Sequence, residues 1–243
     1  MDSAIPAPLL AVLDRKEMLT QTVRAALASL PWRTQTVDDG REIIPEGFRP
    51  SECCLLFEGM AADMRYLANG DRQLTTLHVP GDFLDLHGLY LKVLDHGVLA
   101  LTDCQIAAVR HEDLRRAAQE HPAVAEFIST VIARGSAIER MWIVCMGRKD
   151  PVRRIGHLVC EICLRLGARR QGEGYRFEFP VTQAELADLA GLSVVHTNRA
   201  LQELRSTGFV AWQGANVIIR NWSALASFAG FDKTYLASDR GAV

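Results

Sequence analysis

Residues 182–206 limit most strongly what this chain can become. Thr182-Gln183-Ala184-Glu185 sets a hydroxyl and a glutamate three residues apart, so that each can satisfy a backbone amide at a helix start. Leu186 and Leu189 follow at apolar positions, and Gly191 breaks the helix after about two turns. Ser193 offers a second N-cap, and helical spacing then runs to about Ser206. Ala187, Leu192, Ala200, Leu201 and Leu204 fall where the two helices would pack together. A short helix, a glycine turn and a second helix with a polar outer face make a helix-turn-helix, whose second helix enters a DNA major groove N-terminus first. Phe209–Trp212 and Asn216–Ile219 flank Gln213-Gly214-Ala215, the spacing of a hairpin wing behind that helix. An αα-hairpin without a DNA role and a protein-binding winged helix share this layout, and both stay open on the residues alone.

The charge distribution points the same way. Net charge over the 243 residues is −2. Residues 1–147 carry 14 Lys+Arg against 20 Asp+Glu, giving −6, and residues 148–243 carry 13 against 9, giving +4. An acidic front and a basic back place any nucleic-acid surface in the second part. A hydrophobic share of 49% with 23% charged residues is that of a packed chain and excludes a disordered one. No apolar run approaches the roughly 18 residues of a membrane span, so no membrane partner is expected. Met1 to Leu10 is acidic, holds two prolines and lacks a basic n-region, unlike a secretory leader. Six cysteines in such a chain read as reduced thiols, and a cytoplasmic location is expected.

Ahead of the motif the pattern changes twice. Met1 to Pro8 reads as a loose tail, and Asp14 to Leu30 as a helix with Leu19, Val23, Ala26, Leu27 and Leu30 on one face. From Trp32 to Val109, short apolar runs alternate with turn signals such as Asp39-Gly40, Asn69-Gly70 and Pro80-Gly81, the pattern of a small antiparallel β-roll, barrel or sandwich. At His121-Pro122 a long helix starts. Val124, Ile128, Val131, Gly135, Ile138, Trp142 and Cys145 then repeat at 4-3-4-3-4-3 spacing, a heptad seam of the kind that pairs two helices into a homodimer. The same seam would also serve a helix lying on its own β domain. Gly147 ends the helix, Arg148-Lys149-Asp150-Pro151 reads as a hinge, and Val152–Leu166 and Tyr175–Phe179 read as a helix and a short strand. The expected fold class is α+β, with a sensor domain at 1–120, a dimerisation helix at 121–147 and a winged helix-turn-helix at 148–243.

This order of β-roll, seam helix, hinge and winged helix resembles the cyclic-AMP receptor / fumarate-nitrate regulator (CRP/FNR) family, over nearly the whole span from Trp32 to Ile219. The run from Val181 to Ser193 matches the family's first helix and turn, Arg199 to Arg205 the back of its recognition helix, and Pro80-Gly81-Asp82-Phe83 its β-roll turn. The resemblance implies a sequence-specific transcription regulator that binds a pseudo-palindromic operator in double-stranded DNA as a homodimer, with RNA polymerase as partner where it activates. It implies that Arg199 reads a guanine, a role that fits the two-pronged guanidinium. It implies phosphate contacts from Thr182 and Gln183. Val195 stands where many members have a base-reading glutamate, and Val194 where some have a second arginine and others a valine. Asn198 occupies a position that reads bases in some members. Ser193, His196 and Gln202 complete the expected DNA-facing set.

In the sensor half the resemblance is looser. Gly81, Asp82, Phe83, Asp85 and Leu86 mark the expected effector pocket. The Gly-Glu and Arg-Ser pairs of the cyclic-nucleotide members are missing, and no arginine lies between Gly81 and Val109. A buried phosphate would lack its guanidinium partner, which argues against cyclic AMP. No cysteine precedes Cys53, which argues against the N-terminal iron–sulfur cluster of the oxygen-sensing members. Cys53 and Cys54 are adjacent on a strand and point to opposite faces. Cys160 and Cys163, beside His157, are read as core packing. His78, His87, His96 and Trp142 are candidate lining of an effector cavity, with structural histidines as the plainer reading. No cofactor or metal is expected, and another effector is left unidentified. No P-loop, nucleophile elbow or His-Glu-x-x-His is present, so no enzyme is expected. The alternative from another class is a cupin-like β-roll metal enzyme, which metal content against duplex binding would separate.

Overall fold

The computed structural model describes residues 19–236. The tail at 1–8 and the start of the first expected helix at Asp14 lie outside the described residues. Two compact units hold the chain, one of residues 19–65 and 76–136, the other of 66–75 and 137–236. The division falls inside the long helix, between Ser136 and Ala137, and not at the expected bounds of 120 and 147.

In the first unit, α1 (Gln21–Ala28) is capped by the Thr20 hydroxyl, which accepts from the Val23 amide. Seven strands follow: β1 (Arg33–Val37), β2 (Glu42–Ile44), β3 (Glu52–Glu58), β4 (Ala61–Tyr66), β5 (Arg72–His78), β6 (Gly97–Ala100) and β7 (Cys104–Arg110). They form a three-stranded sheet in the order β1-β7-β3 and a four-stranded sheet in the order β2-β6-β4-β5. The alternation of β3 serves two cores. Cys53 and Leu55 join Trp32, Phe83, Val109 and Leu114, while Leu56 and Cys54 face Ile44, Leu84, Val98 and Ile106. The two neighbouring cysteines therefore point apart, as the strand period requires. A helix absent from the sequence reading, α2 (His111–Glu120), buries Leu114 and Ala117 and carries Glu112 and Asp113 in its first turn, where the helix dipole favours them.

The long helix α3 runs Pro122–Arg148, within a residue of its expected ends. Its first half closes the first unit's core through Val124, Phe127 and Ile128. In the second unit, Ile138, Trp142 and Cys145 are 4–6% exposed. Five of the seven expected seam residues are thus buried within the single chain. The physical reason is that an apolar heptad face covers a chain's own core as well as it pairs with a partner. Val131 and Gly135 are half-buried, with open space over Gly135. The uncovered face is another one: Ser129, Ala133, Arg140, Ile143 and Gly147 are exposed and fall, with half-buried Ser136, at 4-3-4-3-4 spacing, with Ile143 69% and neighbouring Val144 49% exposed.

The chain turns at the expected hinge, where Asp150 caps α4 (Pro151–Arg165) by accepting from the Arg153 amide. This helix is the core of the second unit. Ile155, Val159, Ile162 and both cysteines are fully buried, and burial pushes the Cys163 thiol up to about 12 and Cys160 higher. Glu161 is also fully buried and accepts from Trp142 Nε1 (3.0 and 3.2 Å), Arg165 Nη1 (2.9 Å) and the Tyr235 hydroxyl (2.7 Å). Tyr235 has given its hydrogen to Glu161, so its oxygen accepts from His157 Nε2 at 3.0 Å, and His157 Nδ1 accepts from Lys149 Nζ at 2.8 Å. That pattern needs a neutral imidazole. Burial, and then the Lys149 charge, lower His157 to about 4.

Candidate nucleic-acid interface

Four strands and two short helices present the interface. The sheet runs in the order β10-β11-β9-β8, from β8 (Arg169–Gln171), β9 (Gly174–Glu178), β10 (Val210–Gln213) and β11 (Asn216–Ile219). β10 and β11 pair from Val210↔Ile219 to Gln213↔Asn216, so Gly214-Ala215 is the two-residue turn of the expected wing. A further helix, α7 (Trp222–Ala229), had no place in the sequence reading; Asn221 caps it and Leu225 and Ala229 bury against the unit.

The helix-turn-helix forms as its caps dictate. α5 (Gln183–Ala190) opens with the full capping box: Glu185 N donates to Thr182 Oγ1 (3.2 Å), and Thr182 N donates to Glu185 Oε2 (2.7 Å). Gly191 closes it at φ 60, a left-handed conformation that suits glycine. Ser193 caps α6 (Val194–Ser206) by accepting from the His196 amide. Leu186, Ala187, Leu189, Ala200, Leu201 and Leu204 are 0–4% exposed and hold the helices together.

This packing turns one arc of α6 outward. Ser193, Val194, Val195, His196, Arg199 and Gln202 are exposed and Asn198 half-exposed, while Thr197, Ala200, Leu201 and Leu204 face in. Arg199 makes no ion pair among the described residues, so its guanidinium is available to a ligand. Two expected contacts have other duties: the Ser193 hydroxyl meets His196 Nδ1 at 3.0 Å, and the Thr182 hydroxyl donates to Glu185 Oε2 at 2.9 Å. At the start of α5 the free side chain is the exposed amide of Gln183.

The residues expected at the effector pocket are committed to the turn itself. Gly81 N donates to Leu56 O (2.7 Å), Asp82 Oδ2 accepts from Val79 N (2.8 Å), and Asp85 Oδ1 accepts from Cys54 N (2.7 Å). Phe83 lies between Trp32, whose ring is tilted against it, and Phe127, which meets it edge-on, and Leu86 belongs to the same core. Phe83, Asp85 and Leu86 are buried, because the turn is apolar at 83 and 86, while Gly81 and Asp82 are half-buried. Beside this turn the fold gathers the candidate histidines around Asp63, whose place among them no sequence spacing marks. His78 Nε2 lies 2.7 Å from Asp63 Oδ1, His96 Nε2 lies 3.7 Å from the same oxygen, and the His87 and His96 rings are 5.0 Å apart. The three histidines singled out for a cavity do meet; Trp142 belongs to the other unit. Burial raises the Asp85 carboxyl to about 7 and lowers His87. Among the described residues no group of three His, Cys, Asp or Glu is arranged to hold a metal ion, and no helix is long and apolar enough to cross a membrane.

Comparison with known proteins matches both halves. The cyclic nucleotide-binding domain model covers residues 34–121, and the Crp-like helix-turn-helix domain model covers residues 153–228. The chain is 26% identical over 197 residues to the transcriptional activator protein FnrL of Cereibacter sphaeroides, covering 79% of each chain. It is 24% identical over 193 residues to the nitrogen fixation regulation protein FixK of Rhizobium meliloti, covering 77% of this chain and 82% of that one. The solved structure of FixK2 from Bradyrhizobium japonicum superposes with a TM-score of 0.72 at 21% identity, over 81% of this chain and 96% of that one. With the cyclic nucleotide-binding domain matched in front, the Crp-like helix-turn-helix matched behind and regulators aligned over more than three quarters of both chains, this chain is a transcription regulator belonging to the CRP/FNR family.

Proposed function

We propose that the chain works in the cytoplasm as a homodimer whose paired recognition helices read a two-fold operator in double-stranded DNA. The observation that carries this is the outward arc of α6, where Arg199, His196 and Gln202 stand exposed and Asn198 half-exposed on a helix fixed from behind by Leu201 and Leu204. Arg199 is assigned to guanine O6/N7 and Asn198 to adenine, pairings that match their donor and acceptor geometry. Gln183 and the first backbone amides of α5 are assigned to phosphate. The dimer contact is assigned to the uncovered face of α3, with Ile143 as its apolar anchor and Ser129, Ala133, Ser136 and Gly147 as small residues that admit close backbone approach. In a dimer of this type the two recognition helices enter major grooves about 34 Å apart. Relatives named as activators support RNA polymerase as a further partner.

A cyclic nucleotide does not fit the residues present. A cyclic phosphate calls for a buried guanidinium and amide donors, whereas this turn offers the carboxylates of Asp82 and Asp85 with Asp63 close by. No step of the proposed function runs through that ligand, and none uses a catalytic centre.

Selection of bound sequences from a random duplex pool by the full chain, with light scattering of the free protein, tests the proposal. Inverted half-sites about 10 base pairs apart from centre to centre, bound by a dimer, are expected. Recovery without enrichment, or a monomer at the working concentration, would overturn it.

A further inference from the structure

The leading edge of the recognition helix is apolar. Val194 and Val195 form its first turn, 44% and 60% exposed. On a helical wheel Val195 sits at the middle of the outward arc, one turn from Asn198 and Arg199. Two β-branched residues in this place gain little for the fold: they are modest helix formers and bury little against it. The preceding Ser193 hydroxyl is already occupied by His196, so the first contact this helix offers is made of methyl groups.

The major groove presents one apolar group, the C5 methyl of thymine. Every other base edge there shows donors or acceptors, which a valine would strip of water without replacing the lost hydrogen bond. Resting on the DNA reading above, we propose that Val194 and Val195 select thymine through its C5 methyl, beside the base pair read by Arg199. The exposed valines thereby act as specificity residues in their own right, admitting thymine and disfavouring bases that would place an unpaired polar edge against them.

Deoxyuridine substitution isolates this contact, because it removes the methyl and leaves every hydrogen-bonding group of thymine in place. In the selected operator, each thymine is replaced by deoxyuridine in turn, symmetrically in both half-sites. Binding is measured at fixed salt with the wild-type chain, Val195→Ala and the double variant Val194→Ala/Val195→Ala. One or two thymines per half-site should lose about fourfold in affinity with the wild-type chain, the effect of one buried methyl group. The double variant should bind the thymine and uracil duplexes equally. Both residues are exposed, so folding is not at stake. Uracil tolerated at every position, with the operator preference intact, overturns this inference alone. Sensitivity to uracil that survives in the double variant overturns it too, since another side chain would then hold the methyl. Absence of any preferred duplex overturns the DNA reading and this one with it.

Discussion

The buried histidines of the two units meet different surroundings. Around Glu161 in the second unit, the carboxylate is met by Trp142, Arg165 and Tyr235, and the chain of bonds continues through His157 to Lys149. In the first unit, His87 Nε2 and His96 Nε2 are buried without a hydrogen-bond partner in the protein, and Asp85 is buried with its carboxyl raised to about 7. A satisfied network fixes one arrangement of its elements, while unsatisfied groups leave an arrangement that a proton can shift. The half that displays the recognition helix thus closes its polar groups around Glu161 and His157, although Arg154 Nε and Thr197 Oγ1 are buried there without a partner. The half that carries the β-roll turn has buried Phe83, Asp85 and Leu86 and left imidazole nitrogens of His87 and His96 without partners.

The largest effect should come from opening the closed network. Glu161→Ala takes the buried carboxylate away from the Arg165 guanidinium, 3% exposed, and from Trp142 Nε1 and the Tyr235 hydroxyl, and should cost about 3–5 kcal/mol. Urea unfolding followed by circular dichroism measures it; a loss below about 1 kcal/mol would mean that the network is not rigidly held.

The two faces of α3 give the next largest contrast. Ile138 is 6% exposed and Ile143 is 69% exposed, less than two turns away. Ile138→Asp should lower the unfolding midpoint, because it buries a charge in the chain's own core. Ile143→Asp should leave helical content unchanged and turn the dimer into a monomer by light scattering. A dimer that persists with Asp at 143 would refute the uncovered face as the contact.

The pH dependence of the two units should run in opposite senses. Asp85 has a folded-state pKa raised from 3.8 to about 7, so its contribution to stability is complete below 3.8 and lost as pH rises through about 7. His157 is lowered from 6.5 to about 4, so its contribution is complete above 6.5 and lost as pH falls through about 4. Each should change stability by at most about 1.4 kcal/mol per pH unit in its window. Asp85→Asn should flatten the first limb and His157→Gln the second; an unchanged profile in either variant would assign that limb to another group. The smallest expected signal is calorimetric titration with cyclic AMP, which should show no specific heat. Micromolar affinity would show that the β-roll supplies contacts other than those of the 81–86 turn.

What was legible in the sequence follows how local its signals are. Caps and turn glycines act within three or four residues, so Thr182, Glu185, Gly191 and Ser193 could be read directly, and with them the outward arc of α6. Strand turns between 32 and 109 gave the β-roll for the same reason. The use of an apolar face is not local. The heptad at Val124–Cys145 was visible as a pattern, yet nothing in it distinguishes a partner helix from the chain's own core, and five of its seven residues went to the core. The meeting of His78, His87 and His96 with Asp63 depends on sheet topology, which no spacing encodes. The helices at His111–Glu120 and Trp222–Ala229 have ten and eight residues, too few turns for a periodic signal to stand out.

The central claim is that the exposed arc of α6 reads bases while the start of α5 holds the backbone. Binding of Arg199→Ala and Gln183→Ala to a set of single-base operator variants, all at one salt concentration, tests it most directly. Arg199→Ala should lose about 1–3 kcal/mol of discrimination at one base pair in each half-site, flattening the preference there and leaving the other positions as they were. Gln183→Ala should weaken all variants alike, since a phosphate contact carries no base identity. An Arg199→Ala profile lowered uniformly, with every preference intact, would make Arg199 a backbone clamp and contradict the assigned reading face.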